Sequence, residues 1–296
     1  MTTLGFVGLG AMGSRIAARL LASGSVVYGT NRTRHRADPL VERGLIWRDS
    51  PRAVAEEADV VFSMVTDNAA LAAITDGPDG ILAGLRPGSV YVDMSTVSPA
   101  ASRELADRVH ELDAAMLDAP VSGSVPAAEG GTLTIMVGGG ADTAARVGPL
   151  LRELGQTVTH VGENGAGLVM KLAVNISLAV QMIAFSEGVL LAESSGIEPQ
   201  VAVGVLTSSA VGSPALRTRG PLLFDRPDEA WFDVKMMQKD VGLALKQGRT
   251  SRVPLPTARA ANELLAEARA LGYGDQDLVA VYDVLAQIAG REAVAA

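Results

Sequence analysis

The chain has 296 residues, of which 48% are hydrophobic and 20% charged, and its net charge is −8 at neutral pH. This composition is typical of a globular protein and excludes a disordered one, while the acidic balance argues against nucleic acid as a partner. The absence of cysteine excludes disulfides, thiolate nucleophiles and cysteine metal sites. The length exceeds one average domain, so we expect two domains.

From residue 3 to residue 163, short β-rich runs alternate with helical patterns, which predicts βαβ units. The predicted strands are Leu4–Val7, Ser25–Thr30, Val60–Met64, Ser89–Asp93, Met116–Pro120, Leu133–Val137 and Thr157–Val161. The predicted fold class is therefore α/β, with an N-terminal Rossmann-type, doubly wound and mostly parallel sheet.

The pattern changes at the glycine-rich segment around residue 164. Helical windows rich in alanine and leucine follow it, and no convincing strand remains. We therefore expect a cofactor-binding domain over residues 1–163 and an all-α domain for substrate binding and oligomerisation over residues 164–296. The first helix of the second domain is predicted to run for about 28 residues.

The most apolar long stretch, Leu168 to Ala192, is interrupted by polar and charged residues that include Lys171 and Glu187. Because charges are costly in a bilayer core, this stretch is interpreted as a buried helix, and no membrane association is expected. The N-terminus lacks a basic segment and leads directly into a glycine-rich turn, so no secretory signal is expected. The absence of cysteine fits a reducing compartment, and a cytoplasmic location is expected.

The first glycine-rich turn is Gly8-Leu9-Gly10-Ala11-Met12-Gly13, between an apolar strand and a helical run. In a dinucleotide site the first glycine permits the tight turn, the second lets the pyrophosphate approach and the third allows close packing of helix and strand. The helix N-terminus adds N–H groups and a positive dipole end. The alternative is a merely tight strand–helix connection.

The end of the second predicted strand decides which dinucleotide is expected. An NAD site usually has an acidic residue there for the ribose hydroxyls, whereas this chain has Asn31-Arg32-Thr33 and no acid before Asp38. A guanidinium pairs with a 2′-phosphate, so the segment favours NADP(H) as cofactor. The missing acid also argues against an S-adenosylmethionine methyltransferase, and the alternative is a solvated basic loop.

Lys171 and Asn175 are polar residues on an otherwise apolar predicted helix, and their i,i+4 spacing places both on one face. The alternative for Lys171 is a lysine that reaches solvent or pairs with a carboxylate. The three histidines, His35, His110 and His160, stand apart without ligand spacing, so no metal is expected.

Five motifs in this order resemble the β-hydroxyacid dehydrogenase family, which includes 3-hydroxyisobutyrate dehydrogenases and glyoxylate and succinic semialdehyde reductases. They are Gly8 to Gly13, Asp93-Met94-Ser95-Thr96-Val97-Ser98-Pro99, Asp118-Ala119-Pro120-Val121-Ser122-Gly123, Gly165-Ala166-Gly167 with Lys171 and Asn175, and Lys239-Asp240. The resemblance implies hydride transfer between NADP(H) and a small carboxylate-bearing carbonyl compound or β-hydroxyacid.

The resemblance also implies roles for particular residues. Val65 and Thr66 line the cofactor cleft, Thr96 contacts the nicotinamide half, and Lys239 reaches back over the cofactor. These four follow strand ends or lie on a later helix, and Ser95 is expected to face the same crevice.

On the substrate side, the resemblance implies that Ser122 and Gly123 hold the carboxylate, that Lys171 transfers the proton as general acid or base, and that Asn175 orients substrate or lysine. The family commonly has glycine where this chain has Ser124. Asp240 is interpreted only as a partner of Lys239 or a local cap.

Two other functions stay open. Imine reductases share the architecture and the NADP(H) preference but generally lack a lysine at the position of Lys171. A non-catalytic cofactor-binding scaffold is the second alternative, and the joint presence of Lys171, Asn175 and Ser122 argues against it.

The resemblance to the family also implies a homodimer or homotetramer, formed through the helical domain.

Overall fold

A computed structural model describes residues 2–291 of the chain. It divides into two compact units, and the division lies between Lys171 and Leu172, within the first two turns of a long helix. Each unit is described by itself below.

The strands of the first unit form one sheet, in which the spatial order is β3-β2-β1-β4-β5-β6-β8-β7 and β9 pairs with β8. The strands are β1 Thr3–Val7, β2 Val26–Thr30, β3 Ile46–Trp47, β4 Val60–Ser63, β5 Val90–Asp93, β6 Ala115–Asp118, β7 Val121–Ser122, β8 Thr134–Gly138 and β9 Thr157–Gly162. All pairings are parallel except those of β8 with β6 and β7. The mostly parallel α/β sheet predicted from the sequence is confirmed.

All seven predicted strands are present, with ends that differ by no more than two residues from the prediction. The sequence missed β3 and β7, which have two residues each and are too short to show an alternating pattern. Ser122 therefore lies on a short strand, whereas the predicted strand before it ended at Pro120.

Helices cover both faces of the sheet because successive residues of a central strand point to opposite sides. On β4, Val60 and Phe62 belong to one buried cluster and Val61 to another. The helices of this unit are α1 Ala11–Ala22, α2 Asp38–Val41, α3 Pro51–Glu57, α4 Asn68–Thr75, α5 Ile81–Gly84, α6 Pro99–His110, α7 Val125–Gly130 and α8 Ala141–Leu154, with a 3-10 turn at Arg34–Ala37.

The order of the strands reverses between β1 and β4. The chain proceeds from β1 outward to β2 and β3, and then returns to pair β4 with the other side of β1. In open parallel sheets, ligands bind in the crevice outside the carboxyl ends of the strands at such a switch point. The glycine-rich turn follows β1 and Val65 follows β4, so both lie at this crevice.

Helix α9, Ala166–Ser194, begins in the first unit and continues into the second. Its 29 residues agree with the predicted length of about 28. By length and composition alone it could cross a membrane, with a mean hydropathy of 1.8, which is weak evidence because core helices pass the same test. Only 33% of its apolar window is buried within the chain, so the prediction of a buried helix holds for part of its surface.

The second unit is helical in its described part, residues 172–291, where the only β-type pairing is the isolated bridge between Asp233 and Asp277. This agrees with the predicted all-α character. Its helices after α9 are α10 Pro199–Ser208, α11 Pro214–Arg219, α12 Val234–Ser251, α13 Pro256–Ala270 and α14 Val281–Ile288, with 3-10 turns at Gly220–Leu223 and Leu278–Ala280.

Candidate active site

The three glycines of the first turn meet different surroundings. Gly8 has a φ of +95°, and a Cβ there would overlap the carbonyl oxygen of Met64 at the end of β4. A Cβ on Gly13 would overlap the carbonyl oxygen of Gly8. A Cβ on Gly10, in contrast, would meet nothing within 4 Å. Gly8 and Gly13 are therefore required by the turn itself, whereas the open space at Gly10 fits a ligand that approaches the backbone.

The N-terminus of α1 fits an anion. Gly10 is its N-cap, no side chain caps it within the described residues, and its first turn contains no acid. The first N–H groups of a helix have no partner within the helix and lie at the positive end of its dipole. Ala11, Met12 and Gly13 provide such groups, so this end of the helix fits a nicotinamide dinucleotide through its pyrophosphate.

Asn31 joins the glycine turn to the loop after β2. Its Oδ1 accepts a hydrogen bond from the Leu9 N–H at 3.0 Å, and its Nδ2 donates to the carbonyl oxygen of Thr33 at 2.9 Å. The Leu9 side chain is buried in the core. Two of the predicted cofactor residues, Leu9 and Asn31, are thus engaged with each other, and their contribution is to hold the two loops together.

The arginines after Asn31 differ in how they are held. The guanidinium of Arg34 pairs with Asp38 at 2.7 Å and lies 4.2 Å from the ring centroid of Trp47. Arg32 is exposed, and among residues 2–291 no side chain or carbonyl group pairs with its guanidinium. Arg32 is therefore an arginine directly after β2 that is available to a ligand.

A buried hydrogen-bond network joins the ends of β4 and β5. Asp93 Oδ1 accepts from the Ser63 hydroxyl at 2.8 Å and from the Ser95 hydroxyl at 2.6 Å. The Ser95 oxygen in turn accepts from the Val65 N–H at 2.9 Å. Burial raises the pKa of Asp93, against the opposing effect of these donors. The network holds the segment of Val65 that was predicted to line the cofactor cleft.

Ser95 itself is buried, which contradicts the expectation that it faces the crevice. Its hydroxyl is engaged by Asp93 because the chain turns directly after β5 and brings the serine back onto the strand end. The neighbouring Thr96 is half-buried and Thr66 is exposed, so these two side chains keep surface in the crevice region.

The predicted carboxylate-binding pair lies at the end of β7. Ser122 is half-buried, and Gly123 has a φ of +123°, which an L side chain rarely adopts. A Cβ on Gly123 would also lie 2.7 Å from the Cβ of Ala127 and 2.9 Å from a methyl group of Leu133. The glycine is needed for this turn, which leads into α7, where Ser124 is the N-cap residue.

In the second unit, Asn175 and Asp240 are both buried, each with 1% of its surface exposed. The Asn175 amide donates to Asp240 Oδ2 at 2.6 Å, and the ammonium of Lys239 lies 2.9 Å from Asp240 Oδ1. Asp240 thus links Asn175 and Lys239. Asp240 was interpreted from the sequence only as a partner of Lys239 or a local cap, and its bond with Asn175 was not predicted.

Among residues 2–291, no three His, Asp or Glu side chains are grouped so as to hold a metal ion. Lys171 lies in the second turn of α9 and is half-buried, and Asn175 follows one turn later on the same helix.

Comparison with known families matches both parts of the chain. Residues 3–162 match the NAD binding domain of 6-phosphogluconate dehydrogenase, and residues 165–285 match the NAD-binding domain of NADP-dependent 3-hydroxyisobutyrate dehydrogenase. A glyoxylate/succinic semialdehyde reductase of Arabidopsis thaliana is 35% identical over 291 residues, which are 98% of this chain and 81% of the plant protein. The chain belongs to the β-hydroxyacid dehydrogenase family. It is an oxidoreductase with a domain for a nicotinamide cofactor, as the resemblance implied.

Solved structures of the family share the fold. A 3-hydroxyisobutyrate dehydrogenase of Salmonella typhimurium is similar with a TM-score of 0.88 and 29% identity, over 96% of this chain and 100% of that one. The complex of Psf3 with NADP+ and 2-OPP gives a TM-score of 0.89 and 27% identity at the same coverage. An imine reductase of Pseudomonas is more distant, with a TM-score of 0.64 and 21% identity over 96% of this chain and 99% of that one, and shares the fold.

Proposed function

We propose that the chain is an NADP(H)-dependent enzyme that interconverts a small carboxylate-bearing carbonyl compound and the corresponding β-hydroxyacid. One observation in the first unit carries the proposal. The glycine turn and the Val65 segment follow the carboxyl ends of β1 and β4, and the start of α9, which leads to Lys171, is bonded to Asp118 at the carboxyl end of β6 in the same sheet. Sheets of this kind bind ligands at this edge.

The preference for NADP(H) rests on the loop after β2. Arg32 presents an exposed guanidinium there, and no carboxylate stands between β1 and Asp38 to repel a 2′-phosphate. Asn31 holds this loop against the glycine turn, so Arg32 projects from a segment that is tied to the pyrophosphate site. The complex of the related Psf3 with NADP+ is consistent with this choice.

The substrate carboxylate is assigned to the turn at Ser122 and Gly123. Gly123 lies in a tight turn with a positive φ, and backbone N–H groups in turns form anion-binding concavities. The Ser122 hydroxyl adds a further donor. Such a site holds a carboxylate without a full positive charge, and Lys171 is assigned to the reacting oxygen.

When bound, the nicotinamide cofactor supplies or accepts the hydride. In reduction, the Lys171 ammonium polarises the substrate carbonyl and donates a proton to its oxygen. In oxidation, the neutral Lys171 amine accepts the proton of the substrate hydroxyl. We assign Asn175, whose amide donates to Asp240, to the orientation of substrate or lysine.

The experiment is an absorbance assay of NADPH and NADH consumption with small semialdehydes, 2-oxo acids, 3-oxo acids and cyclic imines. Lys171→Ala is expected to lower kcat by roughly 100-fold or more, as the loss of a general acid does. Lys246→Ala, which removes an exposed lysine of α12, is the matched control and is expected to behave as the wild type.

The panel also separates the alternatives. Turnover of cyclic imines alone, indifferent to Lys171→Ala, would establish an imine reductase. Cofactor binding without turnover of any compound would establish a scaffold, and either result contradicts the proposal.

We also propose that the chain forms a homodimer or homotetramer through its helical unit. Leu191 on α9 and Val201 and Val205 on α10 are large apolar side chains that are exposed in the single chain. Light scattering is expected to give two or four times the mass of one chain, and a monomer at micromolar concentration would contradict this assignment.

A further inference from the structure

Asp118 is a fully buried carboxylate at the end of β6. Its two oxygens accept backbone hydrogen bonds from the start of α9: Oδ1 from the Gly165 N–H at 2.7 Å and Oδ2 from the Leu168 N–H at 2.9 Å. The first N–H groups of a helix have no acceptor within the helix, and a carboxylate is the acceptor that the helix dipole favours. Asp118 therefore anchors the first turn of α9 to the central sheet.

The backbone around the Asp118 carboxylate is so closely packed that two neighbouring positions have no space for a Cβ atom. A Cβ on Gly138 of β8 would lie 2.6 Å from Asp118 Oδ1. A Cβ on Gly167 would lie 2.5 Å from the carbonyl oxygen of Met136 and 2.8 Å from that of Asp118. The glycines that flank the anchor thus let α9 approach the sheet more closely than any other residue would permit.

A second contact holds the same segment. The side-chain amide of Asn164 donates to the carbonyl oxygen of Met116 on β6 at 3.0 Å. Gly165 follows with a φ of +87°, a conformation that favours glycine, and its N–H donates to Asp118. The position of the helix start along β6 is thus set by contacts before and within its first turn.

Lys171 lies three residues after Leu168 on the same helix, which is about 4.5 Å along the helix axis and close to the same face. We infer that Asp118 is a positioning residue for Lys171, because it fixes the axial position and the rotation of the turn from which the lysine projects. This inference rests on the proposed role of Lys171. Asp118 touches neither substrate nor cofactor in this role and acts only through the helix.

Asp118→Asn tests the inference with little change in volume. The amide keeps one acceptor oxygen, but its NH2 group then faces the N–H of Gly165 or Leu168, so one anchoring hydrogen bond becomes a repulsive contact. We expect kcat to fall roughly 10- to 100-fold, since misplacement of a reacting group by about 1 Å has effects of this size. The dissociation constant of NADPH, measured by fluorescence titration, should change less than about 3-fold, because α1 and the glycine turn are not altered.

The decisive measurement is a double-mutant cycle on kcat with Asp118→Asn, Lys171→Ala and the double variant. If Asp118 acts through Lys171, the Asp118→Asn loss disappears once the lysine is absent. If Asp118→Asn instead causes a general structural defect, the fold losses in kcat from the two substitutions should multiply in the double variant. Asp93→Asn is the matched control. It removes a buried carboxylate on the adjacent strand whose side-chain hydrogen bonds come from Ser63 and Ser95, and its loss in kcat should multiply in this way.

The outcomes are separable. A loss for Asp118→Asn that persists in the Lys171→Ala background overturns the positioning role and leaves the proposed function intact. No loss for Lys171→Ala contradicts the proposed function itself.

If Asp118→Asn does not fold, hydrogen exchange of the wild type gives an independent test. The amides of Gly165 and Leu168 should exchange as slowly as those of β6, and rapid exchange would overturn the anchor.

Discussion

Asn175 donates a 2.6 Å hydrogen bond to Asp240, and both side chains are almost fully buried in the helical unit. Asp240 also pairs with Lys239 at 2.9 Å. A side chain that was assigned from the sequence to substrate orientation is thus itself held in place by a carboxylate on another helix, 65 residues further along the chain. The orientation of the Asn175 amide, and with it the direction of its oxygen, depends on Asp240.

Asn175→Ala and Asp240→Ala are each expected to lower the free energy of unfolding by about 1–3 kcal/mol, because each leaves a buried polar partner without its hydrogen bond. The double variant should lose less than the sum of the single losses, since the second substitution removes the group that the first left unpaired. Urea unfolding at fixed protein concentration measures the free energy of unfolding of the two single variants and the double variant. Strictly additive losses would show that the two side chains do not interact.

Gly10→Ala and Gly13→Ala should separate cofactor binding from folding. The space beside Gly10 is open in the protein alone, so Gly10→Ala is expected to change the thermal midpoint little and to weaken NADPH binding roughly 10-fold or more by obstructing the pyrophosphate. Gly13→Ala would place a Cβ on the carbonyl oxygen of Gly8, so it should lower the midpoint even without cofactor. If the two variants had the same thermal midpoint and the same affinity for NADPH, the assignment of the glycine turn to the pyrophosphate would be contradicted.

Arg32→Ala and Arg34→Ala test which guanidinium holds the 2′-phosphate. Arg32 has no partner among the described side chains, so its loss should weaken NADPH binding roughly 10- to 100-fold, which corresponds to about 1.5–3 kcal/mol for a charged hydrogen bond. NADH binding should be unchanged. Arg34 is already paired with Asp38 and lies over Trp47, so Arg34→Ala is the control with a smaller effect. Titrations that show equal losses for NADH and NADPH with Arg32→Ala would exclude a phosphate contact.

The buried carboxyl of Asp93 should make stability depend on pH. Burial raises its pKa, so the native protein keeps a proton that the unfolded chain, with an ordinary value of about 3.9, has already lost. Between the pKa of the unfolded chain and the higher pKa of the native protein, unfolding releases a proton. The free energy of unfolding therefore falls as the pH rises through this range. Asp93→Asn lacks this contribution, so its stability relative to the wild type should rise as the pH increases from about 3.9 through the raised pKa of Asp93.

Asp275→Asn provides the control of opposite sign. Its hydrogen bond with Lys235 lowers the pKa of Asp275, so the carboxylate contributes stability above its unfolded pKa and loses it as the pH falls. Relative to the wild type, Asp275→Asn should lose stability as the pH rises.

Urea unfolding across this pH range measures both effects. Parallel pH profiles for the wild type and Asp93→Asn would show that Asp93 has the same pKa in the native and the unfolded state, which would contradict the prediction.

The amino-acid sequence alone determined the elements whose signals are local. The glycine turn, the seven longer strands and the length of α9 follow from periodicity and from glycines that particular backbone conformations require, so neighbouring residues carry the information. The order of the motifs along the chain was likewise enough to indicate the family before any contact was known.

Only the tertiary structure decided which polar groups serve which purpose. Asn31 is engaged by Leu9 across 22 residues, and Asp118 accepts from Gly165 across 47 residues. Such pairs form because a buried polar group must find a partner, and the nearest partner is set by how strands and helices pack. The residue types in a motif therefore show which chemistry is available, and the packing determines whether a side chain contacts a ligand or positions the group that does.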